Sequence, residues 1–376
     1  MPFTTIDLTK AVTGVLPDAN ANYSTPRKNA NPIIINGNMA VSQRGTSSTS
    51  ISTGNYYTCD RWKFEHTGNA GTFTLTQSTD VPSGYGFVNS FKMDCTTAQA
   101  TIGSGNRIGI RHFFEGQDLQ MFKKGTSNAE KFTLAFWVKS TKTGTFIAEL
   151  YDEDNARQVS QAYTVSTTNT WEFKVINFPA DTTGAFDNDN GSSMVLFLWT
   201  GGGTNFTSGT LNTSWGSATS ANRAVGQVNA SDSTSNDFLI TGVQLEVGEF
   251  TSSTLPPFQH ESFLSNKERC CRYYQNSFIL GENPSTSTST SNDVITTSWS
   301  DGNAPWQGMF QVQMRSSPTV TLRPRSSSNT GKVSNDGTER TAIPQQISEK
   351  TVAYINIISG NVGGYNAYNF VLNAEL

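Results

Sequence analysis

Alternating hydrophobic and polar residues run through most of the chain and predict β-strands. In residues 132–139, for example, Phe132, Leu134 and Phe136 alternate with Thr133 and Ala135. Strand-like runs lie at residues 32–39, 60–64, 72–77, 91–95, 107–114, 132–139, 144–151, 159–165, 171–178, 193–199 and 237–247. Their spacing, with Gly, Asn or Asp turns between them, is typical of two packed antiparallel sheets. The pattern therefore predicts an all-β fold in which residues 31–252 form a jelly-roll β-sandwich, with the first and last runs as neighbours.

One segment has helical periodicity, and it begins at Ser262 after the turn sequence LPPF. Four residues, at 4-3-4 spacing, would share one face of this helix: Phe263, Lys267, Cys270 and Tyr274. A seam this narrow on a short helix is not stable alone in water, so it must pack on its own domain or on copies of itself. We expect residues 253–280 to be a linker and short helix that provides the seam of a homotrimer.

A small β domain is predicted for residues 281–376. It begins with a Ser/Thr/Asn stretch at 281–292 that is typical of a linker or an edge strand. Strand-like runs follow at residues 294–298, 308–314, 319–322, 352–358 and 368–372. Because residues 326–340 are polar, such a sheet would be marginally stable alone, and we expect three copies to complete its core. The alternative is that the domain folds back onto its own sandwich.

Residues 1–30 are predicted to be an extended arm, because Gly, Pro and Asn interrupt them every few residues. A few apolar residues could lie along another protein: Ile6, Leu8, Val12, Val15 and Leu16. The arm is therefore expected to dock the chain to a larger assembly. The alternative is a leader without that function.

Composition narrows the classes of partner. Charged residues make up only 15% of the chain, the net charge is -4 and the pI is near 5.5, so no basic field favours nucleic acid. No apolar run approaches the length of a membrane span, and no signal peptide is evident. We therefore expect synthesis in a cytoplasm, no membrane insertion, and export only by lysis or assembly on a particle.

The four cysteines do not resemble a disulfide framework. Cys270 and Cys271 are adjacent on the predicted helix, where their side chains diverge and cannot bridge comfortably. Cys59 and Cys95 could pair only if their strands adjoin. Cytosolic synthesis favours two buried free thiols instead.

Enzyme signatures are missing: the sequence has no GxSxG, Walker or HExxH motif, and its three histidines are far apart. His112 lies within a predicted strand and is expected to be a hydrogen-bonded wall residue. The acidic run containing Asp152 and Asp154 could bind calcium, although a solvated turn is the simpler interpretation. We expect no catalytic activity and no cofactor.

Exposed aromatic rings are the candidate glycan contacts. Trp215 lies in the long loop 201–235, which has few aliphatic residues, and long loops in compact domains are usually functional or mobile. Tyr56, Tyr57 and Tyr85 lie in other turns. These rings could stack on sugars. Alternatively, they cap the edges of the sandwich or meet a neighbouring subunit.

Several motifs occur in an order that resembles bacteriophage and prophage tail-fibre proteins. They are NGNMAVSQRG at 36–45, CDRW at 59–62, LAFWVKS at 134–140, NTWEFKVINFPADTTG at 169–184, ITGVQLEVG at 240–248, CRYYQ at 271–275 and QVQMRSSPTVTL at 311–322. The arm also contains LPDAN, which resembles the connectors of phage fibres.

The resemblance implies a virion protein with a jelly roll similar to carbohydrate-binding modules. Such a protein would be a homotrimer that docks to a tail or baseplate protein through its arm and binds a host surface glycan by multivalent contact. Two alternatives stay open at this point. One is a decoration or fibre protein of the capsid, and the other is a polysaccharide depolymerase.

Overall fold

The chain folds mainly into antiparallel strands in a computed structural model that describes residues 31–68, 71–286, 293–299, 302–325, 327–359 and 363–376. Within these ranges the strands are β1 (Ser47–Ile51), β2 (Asn55–Tyr56), β3 (Lys63–His66), β4 (Thr72–Ser78), β5 (Ser90–Thr97), β6 (Arg107–Glu115), β7 (Phe132–Ser140), β8 (Gly144–Asp152), β9 (Arg157–Val165), β10 (Glu172–Phe178), β11 (Ser192–Gly202), β12 (Gly216–Ser217), β13 (Asp237–Val247), β14 (Tyr274–Asn276), β15 (Val294–Thr297), β16 (Asn303–Pro305), β17 (Thr319–Pro324), β18 (Lys332–Asn335), β19 (Thr338–Ile347), β20 (Val352–Ile357) and β21 (Tyr365–Asn373). The helices are α1 (Thr204–Thr207) and α2 (Phe263–Cys271), with 3-10 turns at Gly116–Asp118, Gln120–Phe122 and Ser220–Asn222.

Two sheets form the sandwich. The front sheet has the order β1-β4-β5-β13-β7-β10, and the back sheet has the order β12-β9-β8-β11-β6-β3-β2. Alternation in β7 explains their packing, because Phe132, Leu134 and Phe136 are fully buried between the sheets while Trp137 faces outwards. The chain crosses between the sheets repeatedly, as in a jelly roll. The predicted all-β sandwich is therefore confirmed.

The predicted first strand, residues 32–39, is wrong. This segment forms turns, with left-handed backbone at Asn36 (φ 58°) and Met39 (φ 57°). The Asn36 side chain donates to the carbonyl oxygens of Val41 and Asp60, each at 2.9 Å, and so holds the turn in place of a ladder. The segment still meets the last strand of the sandwich, because Val243 donates its amide hydrogen to the Gly37 carbonyl at 2.9 Å.

The long loop 201–235 covers the outer face of the back sheet. Its residues Phe206 and Ala224 are buried against Phe197 and Trp199 of β11. Beneath it, Glu149 is fully buried and accepts hydrogen bonds from Trp199 Nε1 at 2.8 Å and from the Arg223 guanidinium at 2.7 and 3.1 Å. The loop is thus a lid on the back sheet, and the front sheet keeps an open outer face.

Helix α2 forms where predicted, but the proposed seam does not run along it. Ser262 caps the helix by accepting from the Ser265 amide at 3.1 Å. Cys270 is buried within the chain, and Tyr274 lies in β14, where it pairs with Asn373. Phe263 is 48% exposed and Lys267 is half-buried. Contacts within the chain therefore already use half of the seam.

The C-terminal domain has a core of its own, contrary to the expectation that three copies would supply it. Its sheet has the order β14-β21-β18-β19-β20-β16, and β15 and β17 also pair with β21. The buried side chains of this core are Ala304, Met314, Leu322, Val333, Ala342, Ile355, Ile357, Tyr368, Phe370, Leu372 and Ala374. A hydrogen bond from Thr296 Oγ1 to the Pro305 carbonyl at 3.0 Å links β15 to β16, so the sheet curls around this core.

One strand predicted for this domain is wrong, because residues 308–314 do not form a strand. The hairpin β18–β19 begins within the polar section 326–340, for which no strand was predicted. Asp336 (φ 47°) and Gly337 (φ 79°) form its two-residue turn. An Asp-Gly pair is a recognised hairpin signal, and it could have located this hairpin from the sequence.

A buried ionic cluster, hereafter the joint, fixes the C-terminal domain to the sandwich. Glu375 bonds Arg44 at 3.0 Å and also contacts the guanidinium of Arg61, which is fully buried. Arg44 also pairs with Asp60 at 3.1 Å, and the Arg61 guanidinium lies 3.4 Å above the ring of Tyr273. Three of the motifs quoted above, at 36–45, 59–62 and 271–275, meet here. Their shared role in this structure is to hold the two domains together.

We predict that Glu375→Gln destabilises the protein by ~3 kcal/mol, because it leaves two buried arginines without their shared counter-charge. Urea unfolding followed by tryptophan fluorescence measures the loss. The matched control is Glu249→Gln, since Glu249 is 55% exposed and pairs with an exposed lysine. Equal stability of the two variants would contradict a structural role for the joint.

Candidate functional site

A cleft of about 490 Å³ lies on the open outer face of the front sheet. Three aromatic rings line it in a row. The ring centroids of Tyr85 and Trp137 are 4.3 Å apart, and those of Trp137 and Phe173 are 5.1 Å apart. Tyr85 is 55% exposed and Phe173 is 36% exposed. Neighbouring exposed rings of this kind mark a binding surface more often than isolated ones do.

Strand register places two of these rings. Trp137 on β7 and Phe173 on β10 are directly opposite each other and point away from the core. Tyr85 comes from the loop between β4 and β5, which Phe87 anchors. Phe87 fits because Gly242 has no side chain: a Cβ there would lie 2.5 Å from the Phe87 ring. A bulge in β13 near Gly242 (φ +62°) makes this approach possible.

The LPPF turn forms the opposite wall. Phe258 and His260 pack on Phe87, with ring centroids 5.1 and 5.2 Å away. At the floor, the Gln244 side chain donates to the Pro256 carbonyl at 3.1 Å and ties the wall to the sheet. Its amide oxygen has no hydrogen-bond partner among the described residues. The cleft is therefore an apolar slot with a few polar groups, as is usual for ligand sites.

Polar side chains continue the same face beyond the rings. Asp80 accepts hydrogen bonds from Lys139 at 2.7 Å and from Trp171 Nε1 at 3.0 Å. Burial raises the pKa of Asp80, but these two hydrogen bonds outweigh it and lower that pKa below its usual value. The rings thus stand beside a satisfied ion pair.

Only one of the four predicted glycan contacts, Tyr85, lies in this cleft. Tyr56 and Tyr57 line a different cleft, which lies between the sandwich and the C-terminal domain. Trp215 is half-buried against the sandwich core, and its Nε1 donates to the Pro179 carbonyl at 2.9 Å. It therefore caps an edge of the sandwich, the alternative considered from the sequence.

Sequence reasoning missed Trp137 and Phe173. A signal for Trp137 was present, because this large ring occupies the outward-facing register of a strand whose other register is entirely core. Nothing local distinguished Phe173, which gains its place only by pairing of β10 with β7.

At the suggested calcium site, Asp152 is buried and paired with a lysine, whereas Asp154 is exposed in the turn, as the simpler interpretation expected for this run. Lys124 places its ammonium 2.5 Å from Asp152 and 3.0 Å from Asp181, with all three side chains almost fully buried. Asp154 instead accepts from the Asp187 amide at 2.9 Å. No group of three or more side chains suited to a metal occurs in the part of the chain that the structure describes.

His112 is packed inside the sandwich on strand β6. The ring of His112 packs between Trp62 (4.8 Å) and Phe114 (4.9 Å), as expected of a wall residue, but its Nδ1 has no hydrogen-bond partner among the described residues. Burial and the positive charges of Arg61 and Arg269 hold the pKa of His112 well below its usual range. The four cysteines are free and buried, as predicted.

Two further predictions concern surfaces outside these sites. The residues predicted to dock the arm, Ile6, Leu8, Val12, Val15 and Leu16, lie outside the described residues. Among the described helices, none has both the length and the apolar character needed to cross a bilayer.

Comparisons with known proteins bear only on the fold of this chain. No protein-family model matches the sequence, and no curated protein matches it. Similar solved structures include the enzymatically active domain of tailspike protein 4 from bacteriophage CBA120, at 17% identity and a TM-score of 0.30 over 53% of this chain and 21% of that chain. The C-terminal family 22 carbohydrate-binding module of a Clostridium thermocellum protein matches at 12% identity and a TM-score of 0.28, over 55% of this chain and 98% of that chain. A family 11 carbohydrate-binding module of a cellulase from the same organism matches at 12% and 0.25, over 54% and 97%. These scores are low, and the function proposed below depends on the chain's own residues.

We predict that Lys124→Met destabilises the sandwich by ~3–5 kcal/mol, because Asp152 would keep a buried charge without its cation. Thermal and urea unfolding measure the loss. The neighbouring change Lys123→Met is the control, since Lys123 is 52% exposed and its ion pair with Glu130 contributes little. Added calcium should leave the Tm of the unchanged protein where it is. A clear calcium-dependent rise would contradict this assignment.

Proposed function

We propose that this chain is a non-enzymatic attachment protein of a phage virion, a trimeric tail fibre that binds a host surface glycan. The observation that supports glycan binding is the row formed by Tyr85, Trp137 and Phe173 in an open cleft. One face of a sugar ring presents C–H groups, which pack against the electron-rich face of an aromatic ring. Polar side chains at the cleft margin can take the hydroxyl groups at the edge of the sugar.

The tilt of the rings indicates the form of glycan. The planes of Tyr85 and Trp137 are inclined by 48°, and those of Trp137 and Phe173 by 41°. A flat crystalline polysaccharide surface could contact only one of these planes at a time. A single flexible saccharide chain can turn to contact each of them, so a soluble or surface-anchored glycan fits the cleft best.

The phage assignment is supported by the ordered tail-fibre-like motifs between residues 36 and 322. In this proposal residues 1–30 dock to a tail or baseplate protein. Trimer formation would use the exposed side of α2, where Phe263 is 48% and Leu264 is 64% exposed. Three identical clefts on one particle would convert weak single contacts into firm attachment, because later contacts form at a high effective concentration.

Binding without catalysis is the simpler use of the front face. One carboxylate pair of this face, Asp94 and Asp237, lies on directly opposite positions of β5 and β13. Burial, a hydrogen bond with Asp237 and the negative charge of Asp237 raise the pKa of Asp94. A glycosidase holds its two carboxyl groups about 5–10 Å apart across a cleft. Asp94 and Asp237 instead lie side by side on neighbouring strands and do not line the aromatic cleft.

We predict that Trp137→Ala weakens binding to host-surface polysaccharide about tenfold or more, because it removes the central ring and ~1.4 kcal/mol or more of contact. Affinity electrophoresis in gels that contain the extracted polysaccharide measures the change. Trp299→Ala is the control, as Trp299 is 48% exposed on the C-terminal domain. If the Trp137 variant is retarded as strongly as the original protein, glycan binding at this cleft is contradicted. If the original protein releases new reducing ends from the polysaccharide, the non-enzymatic assignment is contradicted.

We predict a solution mass near three times 40.9 kDa for the full chain, because the exposed apolar side of α2 needs a partner. Light scattering at several concentrations measures it. Phe263→Ser with Leu264→Ser should reduce this mass, whereas Ile343→Ser, at an exposed residue of β19, should not. A monomer at every concentration would contradict the trimer.

A further inference from the structure

We infer that a second ligand site lies between the sandwich and the C-terminal domain, and that it takes a sugar carrying an oxyanion such as a carboxylate. The site is a cleft of about 300 Å³. Three separate parts of the chain build it: the start of the sandwich, the segment after β14, and strands β17 and β21 of the C-terminal domain. It shares no lining residue with the aromatic cleft.

Three asparagines give this cleft hydrogen-bond donors. The side-chain oxygen of Asn55 accepts from the Tyr56 amide at 2.8 Å, that of Asn283 from the Ser285 amide at 2.9 Å, and that of Asn373 from the Glu375 amide at 3.1 Å. Each oxygen already accepts a backbone hydrogen bond, and the two N–H groups of each amide are donors available to a ligand. A site whose free amide groups are donors favours a ligand rich in acceptors.

The charge of the cleft also favours a ligand rich in acceptors, because Asp and Glu are absent from its described lining. Arg323 contributes a guanidinium on which no carboxylate among the described residues acts, and its Nε has no hydrogen-bond partner there. Its Nη1 donates only to the Ser328 carbonyl. Burial lowers the pKa of Arg323, which is what an uncompensated cation shows.

The second arginine of the cleft, Arg44, has a different role. Its charge is balanced by Asp60 and Glu375 in the joint, and its guanidinium lies 3.6 Å above the Tyr274 ring. Arg44 therefore forms a fixed wall, and Arg323 is the cation left for a ligand. A guanidinium pairs well with planar oxyanions because it can donate two parallel hydrogen bonds.

The size and lining of the cleft favour a sugar over a bare ion. A volume near 300 Å³ is about ten times the share of one water molecule, well above the need of a single oxyanion. Tyr57 lines the cleft beside the donors and is half-buried, with its ring packed against the sandwich core and its hydroxyl 2.9 Å from Thr53 Oγ1. An acidic sugar presents both a ring face and a carboxylate, which matches this combination.

Calorimetric titration of the full chain with trigalacturonate tests the inference, with its fully methyl-esterified form and inorganic phosphate as comparison probes. We expect trigalacturonate to bind and the neutral ester to bind at least about tenfold more weakly, since charge-assisted hydrogen bonds are the strong ones. Binding should also weaken as salt rises. If the ester binds as tightly as trigalacturonate, the site does not require an oxyanion. If phosphate binds as tightly as trigalacturonate, the site does not require a sugar.

Two variants locate the site. Arg323→Met should weaken trigalacturonate binding about tenfold or more, and Asn55→Asp should do the same by replacing a donor with a repelling oxygen. Asn55 is exposed, so its change should leave folding intact even if the arginine variant is unstable. Arg340→Met, elsewhere in the same domain, is the control. Unchanged trigalacturonate binding in both test variants would overturn the site. Trp137→Ala should leave trigalacturonate binding unchanged, which distinguishes this site from the aromatic cleft.

Discussion

The buried contact of Glu375 with Arg44 and Arg61 is the interaction on which the arrangement of the two domains depends. Charges in the interior are costly unless they are paired, so these groups tolerate little displacement. Because the contributing residues come from both ends of the described chain, the pairing also fixes the turn segment 31–46 and helix α2 between the domains. The cleft that contains Arg323 exists only because the domains are held in this relation.

A second constraint decides which surface of the sandwich is open. The back sheet is covered by its own loop, which supplies Arg223 to the buried Glu149 and packs Phe206 on Trp199. In the front sheet no loop covers Trp137; the β4–β5 loop and the LPPF turn instead form the walls of the cleft on either side of its ring. A closed back and an open front are what a binding module needs, since the covered face supplies rigidity and the open face supplies contact.

The two clefts differ in chemistry. The front cleft offers tilted aromatic rings and suits the C–H faces of sugars, whereas the cleft between the domains offers amide groups and one uncompensated guanidinium. Together they would recognise a glycan that combines neutral and acidic units. If the proposed function holds, weak binding at each cleft would suffice for attachment, because repeated sites on one particle raise the effective concentration.

The sequence by itself determined the elements whose evidence is local. Alternation located β7 and most other strands, and Ser262 with the following periodicity located α2. It failed where a distant residue overrides the local pattern, as at residues 32–39, where Asn36 binds Asp60 and Asn266 instead of joining a ladder. The candidate site was found only in part, through Tyr85. Periodicity reports which face of a strand is buried, but the neighbours of the other face are set by register and by long-range packing. Tertiary structure alone therefore decided that Tyr85, Trp137 and Phe173 form one cleft.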